Sequence, residues 1–142
     1  MSGWGPPRAS IEAECAGRGT DAVVTGCVRL LHGEHVDVDL LVALAGPASR
    51  PFHDPDHDRD DDYWLRVWGA RGLLWAWDDS ATSAIVAAAS DVHWRVREMA
   101  AKVVARHHVD EALDVMLALR DDDVPRVRAA GQRAVVALSQ VG

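Results

Sequence analysis

The sequence is poor in cysteine, lysine, tyrosine and phenylalanine. Its two cysteines, Cys15 and Cys27, both sit inside apolar patterns. No CxxC pair and no disulfide framework can be read from them, which points to a reducing, cytoplasmic setting. No apolar run approaches the length that crosses a bilayer, and the opening "MSGWGPPRAS" has no apolar core of the signal-peptide kind. A membrane is therefore not expected as a partner. The signatures of common chemistry are missing as well: there is no P-loop, Gly-rich dinucleotide turn, GxSxG elbow or HExxH. No catalytic residue and no cofactor is indicated.

What is present is unusual in kind. One tyrosine and one phenylalanine accompany six tryptophans, and a single lysine, Lys102, accompanies fourteen arginines. Together with abundant alanine, valine and glycine, this usage has the look of a GC-rich genome. The 142 residues carry a net charge of −7. Residues 1–62 hold five arginines against twelve carboxylates, whereas residues 63–142 hold ten basic and ten acidic side chains. An acidic chain is a poor match for a phosphate backbone, so nucleic acid is disfavoured as a partner.

The first third reads as helices separated by breakers. Residues 1–9, with Gly3, Gly5, Pro6 and Pro7, form an irregular arm. Residues 10–46 form capping helices: a short one over Ile11–Ala16 capped by Ser10, one from Thr20 or Asp21 to Gly33, and one from about Asp37 to Ala45. In the second, Val23, Val24, Cys27, Leu30 and Leu31 repeat as one helical face. Residues 47–62 are a Pro-broken, Asp-rich loop with no periodicity.

From residue 63 to 142 the chain repeats itself. "DYWLRVW" from Asp62, "DVHWRVR" from Asp91 and "DDVPRVR" from Asp122 align at spacings of 29 and 31 residues. Each reads Asp, four residues, then Val, with an arginine just before that valine and a small-residue helix after it. Such a period is expected of stacked helical hairpins. These residues resemble HEAT-like repeats of the type first associated with phycobilin lyases, whose motif is Asp, four residues, Val-Arg. The resemblance implies an all-α fold, a short right-handed α-solenoid of about seven or eight helices, in a small bacterial member of the class. It also implies a ladder in which Asp91, Arg97, Asp122 and Arg128 tie successive repeats. The first repeat departs from it, with Trp68 where the others have Arg97 and Arg128.

The stretch "YWLRVWGARGLLWAWDD" holds four of the six tryptophans. At regular helical spacing Trp64, Trp68 and Trp75 fall within about 40° of one another, with Arg71 beside them. They are either packing over the junction with the N-terminal helices and the Asp-rich loop, or a groove for a peptide or a planar or cationic ligand. Trp94 and Arg95 extend the candidate surface in the second repeat, on a helix whose Glu98, Lys102 and Arg106 read as a solvated face.

Metal binding is tempting at "HDPDHDRDDD", but an EF-hand counted from Asp54 would need glycine and glutamate where Arg59 and Leu65 stand. Cys15, Cys27, His32 and His35 are ordered loosely as in zinc sites, with spacing too wide for paired ligands. Neither is taken as a site.

The function implied is a non-enzymatic interaction module that binds a protein or peptide segment beside the Trp-rich helix. Two alternatives stand: an enzyme or lyase-like subunit binding a small aromatic or nucleobase-like ligand there, and a structural homodimer joined through the Trp stripe.

Overall fold

The computed structural model describes residues 7–140, so the tip of the expected N-terminal arm, residues 1–6, lies outside the described residues. Among the described residues there are eight α-helices, three short 3-10 segments and no strand. The chain divides into two compact units, residues 1–78 and 79–142.

The first unit holds α1 (Pro7–Arg18), α2 (Thr20–Leu31), α3 (Val38–Ala45), a 3-10 segment (Pro47–His53) and α4 (Tyr63–Gly72). Helix α1 starts earlier than its apolar pattern suggests. Proline is tolerated at the start of a helix, where an amide would be unsatisfied anyway, so Pro7 opens the helix and Ser10 lies inside it. Ser10 is therefore not a cap; its hydroxyl donates to the Ala43 carbonyl of α3 at 2.7 Å. Of the face expected in α2, Val23, Val24, Cys27 and Leu30 are buried, whereas Leu31 is partly exposed. Asp37 caps α3, accepting from the Leu40 amide at 2.9 Å.

The expected loop after α3 is only partly a loop. Gly46, at φ 90°, turns the chain in a backbone region that side chains disfavour. Pro47–His53 then winds as a 3-10 helix. Its Ser49 is buried, donating to the Gly46 carbonyl at 2.6 Å. Proline breaks the i→i−4 ladder but tolerates these tighter turns, and so the segment shows no α-helical periodicity in sequence. Residues 54–62 are organised by their own aspartates. Asp54 accepts from the Asp56 amide and Asp58 from the Asp60 amide, and the Arg59 guanidinium donates to the Asp54 carbonyl at 3.0 Å.

Helix α4 buries Leu65, Val67 and Ala70. It approaches α2 so closely that a methyl group on Gly69 would stand 2.8 Å from the Cys27 carbonyl oxygen and 2.9 Å from Leu30 Cβ. Regular helix stops at Gly72, short of the span expected from the tryptophan-rich stretch. Residues 73–75 continue in i→i−3 turns, Leu73 to Ala70, Leu74 to Arg71 and Trp75 to Gly72. Glycine is among the weakest helix formers, which favours an ending there.

The second unit holds a 3-10 turn (Asp79–Ala81), α5 (Thr82–Ala88), α6 (Trp94–His107), a 3-10 turn (Asp110–Ala112), α7 (Leu113–Leu119) and α8 (Pro125–Ser139). Its core is built from Ile85, Val96, Val103, Val104, Met116 and Val127 with alanines between them. The valines of all three repeat motifs, Val67, Val96 and Val127, are buried in their units. The solvated face expected on α6 is interrupted at Glu98, which is buried.

Substituting Gly69→Ala should cost about 2 kcal/mol, because the obstructing atoms include backbone and cannot swing aside. Gly17→Ala meets nothing within 4 Å on α1 and should be neutral or stabilising by up to about 0.5 kcal/mol. Urea unfolding of both variants beside wild type checks the contrast. Equal effects would show that α4 and α2 do not meet as described.

Candidate partner-binding site

The tryptophans of α4 face the segment that sequence left without structure. The Trp68 ring meets Phe52 of the 3-10 segment edge-on, with centroids 4.9 Å apart, and lies nearly parallel to Trp64 at 6.1 Å. Phe52 in turn packs on His57 at 4.2 Å. Between the 3-10 segment and α4 lies a cleft of about 280 Å³, lined by Ser49, Phe52, Asp61, Trp64, Trp68 and two alanines. Phe52, Trp64 and Trp68 are all half-buried, so the rings support one another and still border open space. Packing and exposure are combined at the same side chains.

Phe52 and Ser49 are not singled out from sequence, and His57 and Asp61 enter there only within the metal-like run "HDPDHDRDDD". The available signal was the single phenylalanine of the chain, held between Pro51 and the aspartate run. Asp61 brings charge to the cleft, and its carboxylate stands 3.5 Å from His57 Nε2.

Two of the expected members are placed elsewhere. Arg71 does not line the cleft. Its guanidinium donates to the Leu44 carbonyl at 2.8 Å, covering one of the last carbonyls of α3, and burial pushes its pKa below the usual arginine value. It is a helix-end tie. Trp75 lies beyond the end of α4 in the tighter turns, so the regular-helix angle that aligned it with Trp64 and Trp68 does not apply.

Trp94 and Arg95 belong to the second unit. The Arg95 guanidinium lies 4.5 Å from the Trp94 ring centroid and that of Arg126 lies 5.3 Å from it. Arg126 also pairs with the buried Glu98 at 2.9 Å. Opposite charge from the next motif thus explains how Glu98 tolerates burial on what looked like a solvated face. His93, the N-cap of α6, accepts from the Arg95 amide through Nδ1 at 3.2 Å.

The repeat motifs are joined through a forked contact. Arg97 donates to both oxygens of Asp122, at 2.8 and 3.1 Å, and to the Asp91 carbonyl at 2.9 Å. Arg128 repeats part of this pattern, donating to the Asp122 carbonyl at 2.7 Å. Asp91 and Asp122 each accept from the amide two residues on. Such two-pronged guanidinium–carboxylate contacts are strong and directional.

Among the described residues no group of three or more His, Cys, Asp or Glu is placed so as to hold a metal ion. Burial pushes the Cys27 thiol up to about 12, with Cys15 adding to the effect, so Cys27 stays protonated as a packing group.

The family model described as HEAT repeats matches residues 57–136, more than half of the chain. The chain belongs to the HEAT-repeat family. No curated protein and no solved structure matches it. Within the HEAT-repeat match fall Asp61, Trp64, Trp68 and the Asp–Arg contacts, whereas Ser49 and Phe52 precede it. HEAT repeats commonly mediate protein interactions. No helix among the described residues is long and apolar enough to cross a membrane.

The forked contact carries a pH signature. Desolvation works to raise the Asp122 pKa, but the Arg97 hydrogen bonds, the Val124 amide and the charges of Arg97 and Arg128 outweigh it and hold the carboxyl below its ordinary value. Asp37, bonded chiefly by Arg18, is lowered to about 2. A depressed folded-state pKa stabilises the fold above the unfolded value of about 4, and that contribution is lost as pH falls through the folded value. Arg97 and Asp122 are only 17 % and 11 % exposed. Arg97→Ala should therefore cost about 3 kcal/mol at neutral pH. Asp122→Asn should also flatten the fall in stability below about pH 4. Urea midpoints across an acid series check both, and an unchanged acid slope in Asp122→Asn would count against the pair.

Proposed function

We propose that this HEAT-repeat chain is a non-enzymatic interaction module that takes a peptide segment of a protein partner in the cleft formed by Phe52, Trp64 and Trp68. The observation that carries the reading is the cleft itself: two tryptophans and a phenylalanine hold one another in place while remaining half-buried around open space. Tryptophan is enriched among residues that dominate binding energy, and rigid rings lose little entropy when a partner covers them.

The size of the cleft supports a peptide over a free small molecule. At about 280 Å³ it sits below the range of about 300–1,000 Å³ typical of small-molecule sites, and it suits one or two side chains. The net charge of −7 argues against a nucleic-acid partner. The cysteines, neither of them in a disulfide, accord with a cytoplasmic setting.

Selection from a displayed library of random short peptides tests the reading. The wild-type chain should enrich a sequence class. Trp64→Ala, with circular dichroism showing unchanged helicity, should lose retention of the enriched peptides by about tenfold or more, the effect of removing a hot-spot residue. Enrichment of no class, or equal retention by the variant, would overturn it. Light scattering on the same samples separates the alternative in which a second copy of the chain covers the rings, since size would then depend on concentration.

A further inference from the structure

The two motifs of the second unit use their arginines differently. Arg97, the fourth residue of α6, donates through Nη1 to the Asp91 carbonyl of its own motif. Its Nε and Nη2 take the Asp122 carboxylate of the next motif. Arg128, the fourth residue of α8, makes the same first contact, Nη1 to the Asp122 carbonyl at 2.7 Å. The guanidinium is thus held by the same nitrogen, and the exposed Arg128 keeps its Nε–Nη2 edge open to an incoming group. We infer that α8 docks a helical partner protein, whose helix-head aspartate enters the Arg128 fork as Asp122 enters that of Arg97.

The rest of the helix supports this. At the spacing of 31 residues, Arg97, Glu98, Ala101 and Ala105 of α6 correspond to Arg128, Ala129, Gln132 and Val136 of α8. On α6, Glu98 and Ala101 are buried, and Glu98 pairs with Arg126 of α8. On α8 all four positions are exposed, Val136 at 47 %. They lie within about 100° of one another on one side of the helix. The side by which α6 receives α8 is therefore repeated on α8, facing outward, with an arginine at its head and small or apolar groups below it.

Charge decides the kind of partner. Helix α8 carries Arg126, Arg128 and Arg133 and no carboxylate, in a chain of net charge −7. A guanidinium already oriented by one carbonyl loses little freedom when it takes a carboxylate on two prongs. Asp122 shows how such a carboxylate is presented: it also accepts from the Val124 amide at the head of its own helix. A second copy of this chain is the poorer occupant, because its helix-head aspartates Asp37 and Asp122 are already held by Arg18 and Arg97.

Selection from a displayed library of two-helix hairpins, randomised along one helix and in the turn ahead of it, tests the inference. The wild-type chain should enrich hairpins that share an aspartate at the helix head. Changing that aspartate to asparagine should weaken binding about tenfold. Arg128→Lys should weaken it comparably, since an ammonium keeps the charge but cannot form the fork. Gln132→Glu, an exposed change, sets a carboxylate one turn from Arg128 that fills the fork from within. It should weaken binding several-fold while the urea midpoint stays at or above that of wild type. Trp64→Ala should bind the hairpins like wild type, so the cleft and this helix are read separately. Enrichment of no class, hairpins without a shared acid, or full binding by Arg128→Lys and Gln132→Glu would overturn the inference. So would a dimer by light scattering that Arg128→Lys abolishes, which would put a second copy on α8.

Discussion

The close approach of α4 to α2 at Gly69 sets the geometry of the first unit. Helices usually stand apart by the thickness of their side chains. Here the missing Cβ lets α4 rest on the Cys27 carbonyl and Leu30 of α2. Gly72, one turn later, continues the contact against Cys27 and Leu44. With the glycine stripe turned to α2, the adjoining positions Trp64 and Trp68 are turned aside, toward the 3-10 segment that follows α3. The direction of the tryptophans is therefore a consequence of where the glycines must face. The same glycine that permits the contact weakens the helix, and α4 ends at Gly72.

The second unit shows the ordinary use of the position that Trp68 occupies. There the residue after the buried valine is an arginine, and Arg97 spans its own Asp91 carbonyl and the Asp122 carboxylate of the following motif. A guanidinium satisfies backbone carbonyls at the head of a helix pair while fixing the neighbour's angle, a task an indole cannot perform. Placing tryptophan there in the first motif gives up a charged tie and gains a broad apolar face. Phe52 meets that face at 4.9 Å. The position thus changes from joining motifs to shaping a cleft.

The fold was legible because its signals are local and repeated. Asp, valine and arginine recur at fixed spacing, and the buried valines Val67, Val96 and Val127 are where that spacing puts them. The cleft was only half legible. Trp64 and Trp68 stand out in sequence, but their partner Phe52 lies in a proline-bounded 3-10 turn that has no 3.6-residue period to detect. Arg71 shows the limit of helical-wheel reasoning: an angle places a side chain near a stripe, whereas the bare carbonyl at the end of α3 decides where its guanidinium goes. Glu98 shows the same limit for charge. Its burial depends on Arg126, which stands 28 residues away in sequence and becomes adjacent only when the motifs stack.

These misses share a cause that bears on how a repeat protein acquires a site. Within a regular array, each motif's polar and charged groups are largely consumed by its neighbours, as Arg97, Asp122, Glu98 and Arg126 are here. A surface able to recognise something else needs a departure from the pattern on one side and an element outside the pattern on the other. Trp68 is the departure, and the turn carrying Ser49 and Phe52, ahead of the HEAT-repeat match, is the outside element. Neither suffices alone. Without Phe52 the Trp68 indole would keep Trp64 beside it but lose the far wall of the cleft, and with an arginine in place of Trp68 the turn would face a charge occupied with the repeat's own carbonyls. The cleft exists because a change within the motif and a non-repeating segment were brought together by glycines that hold α4 close to α2.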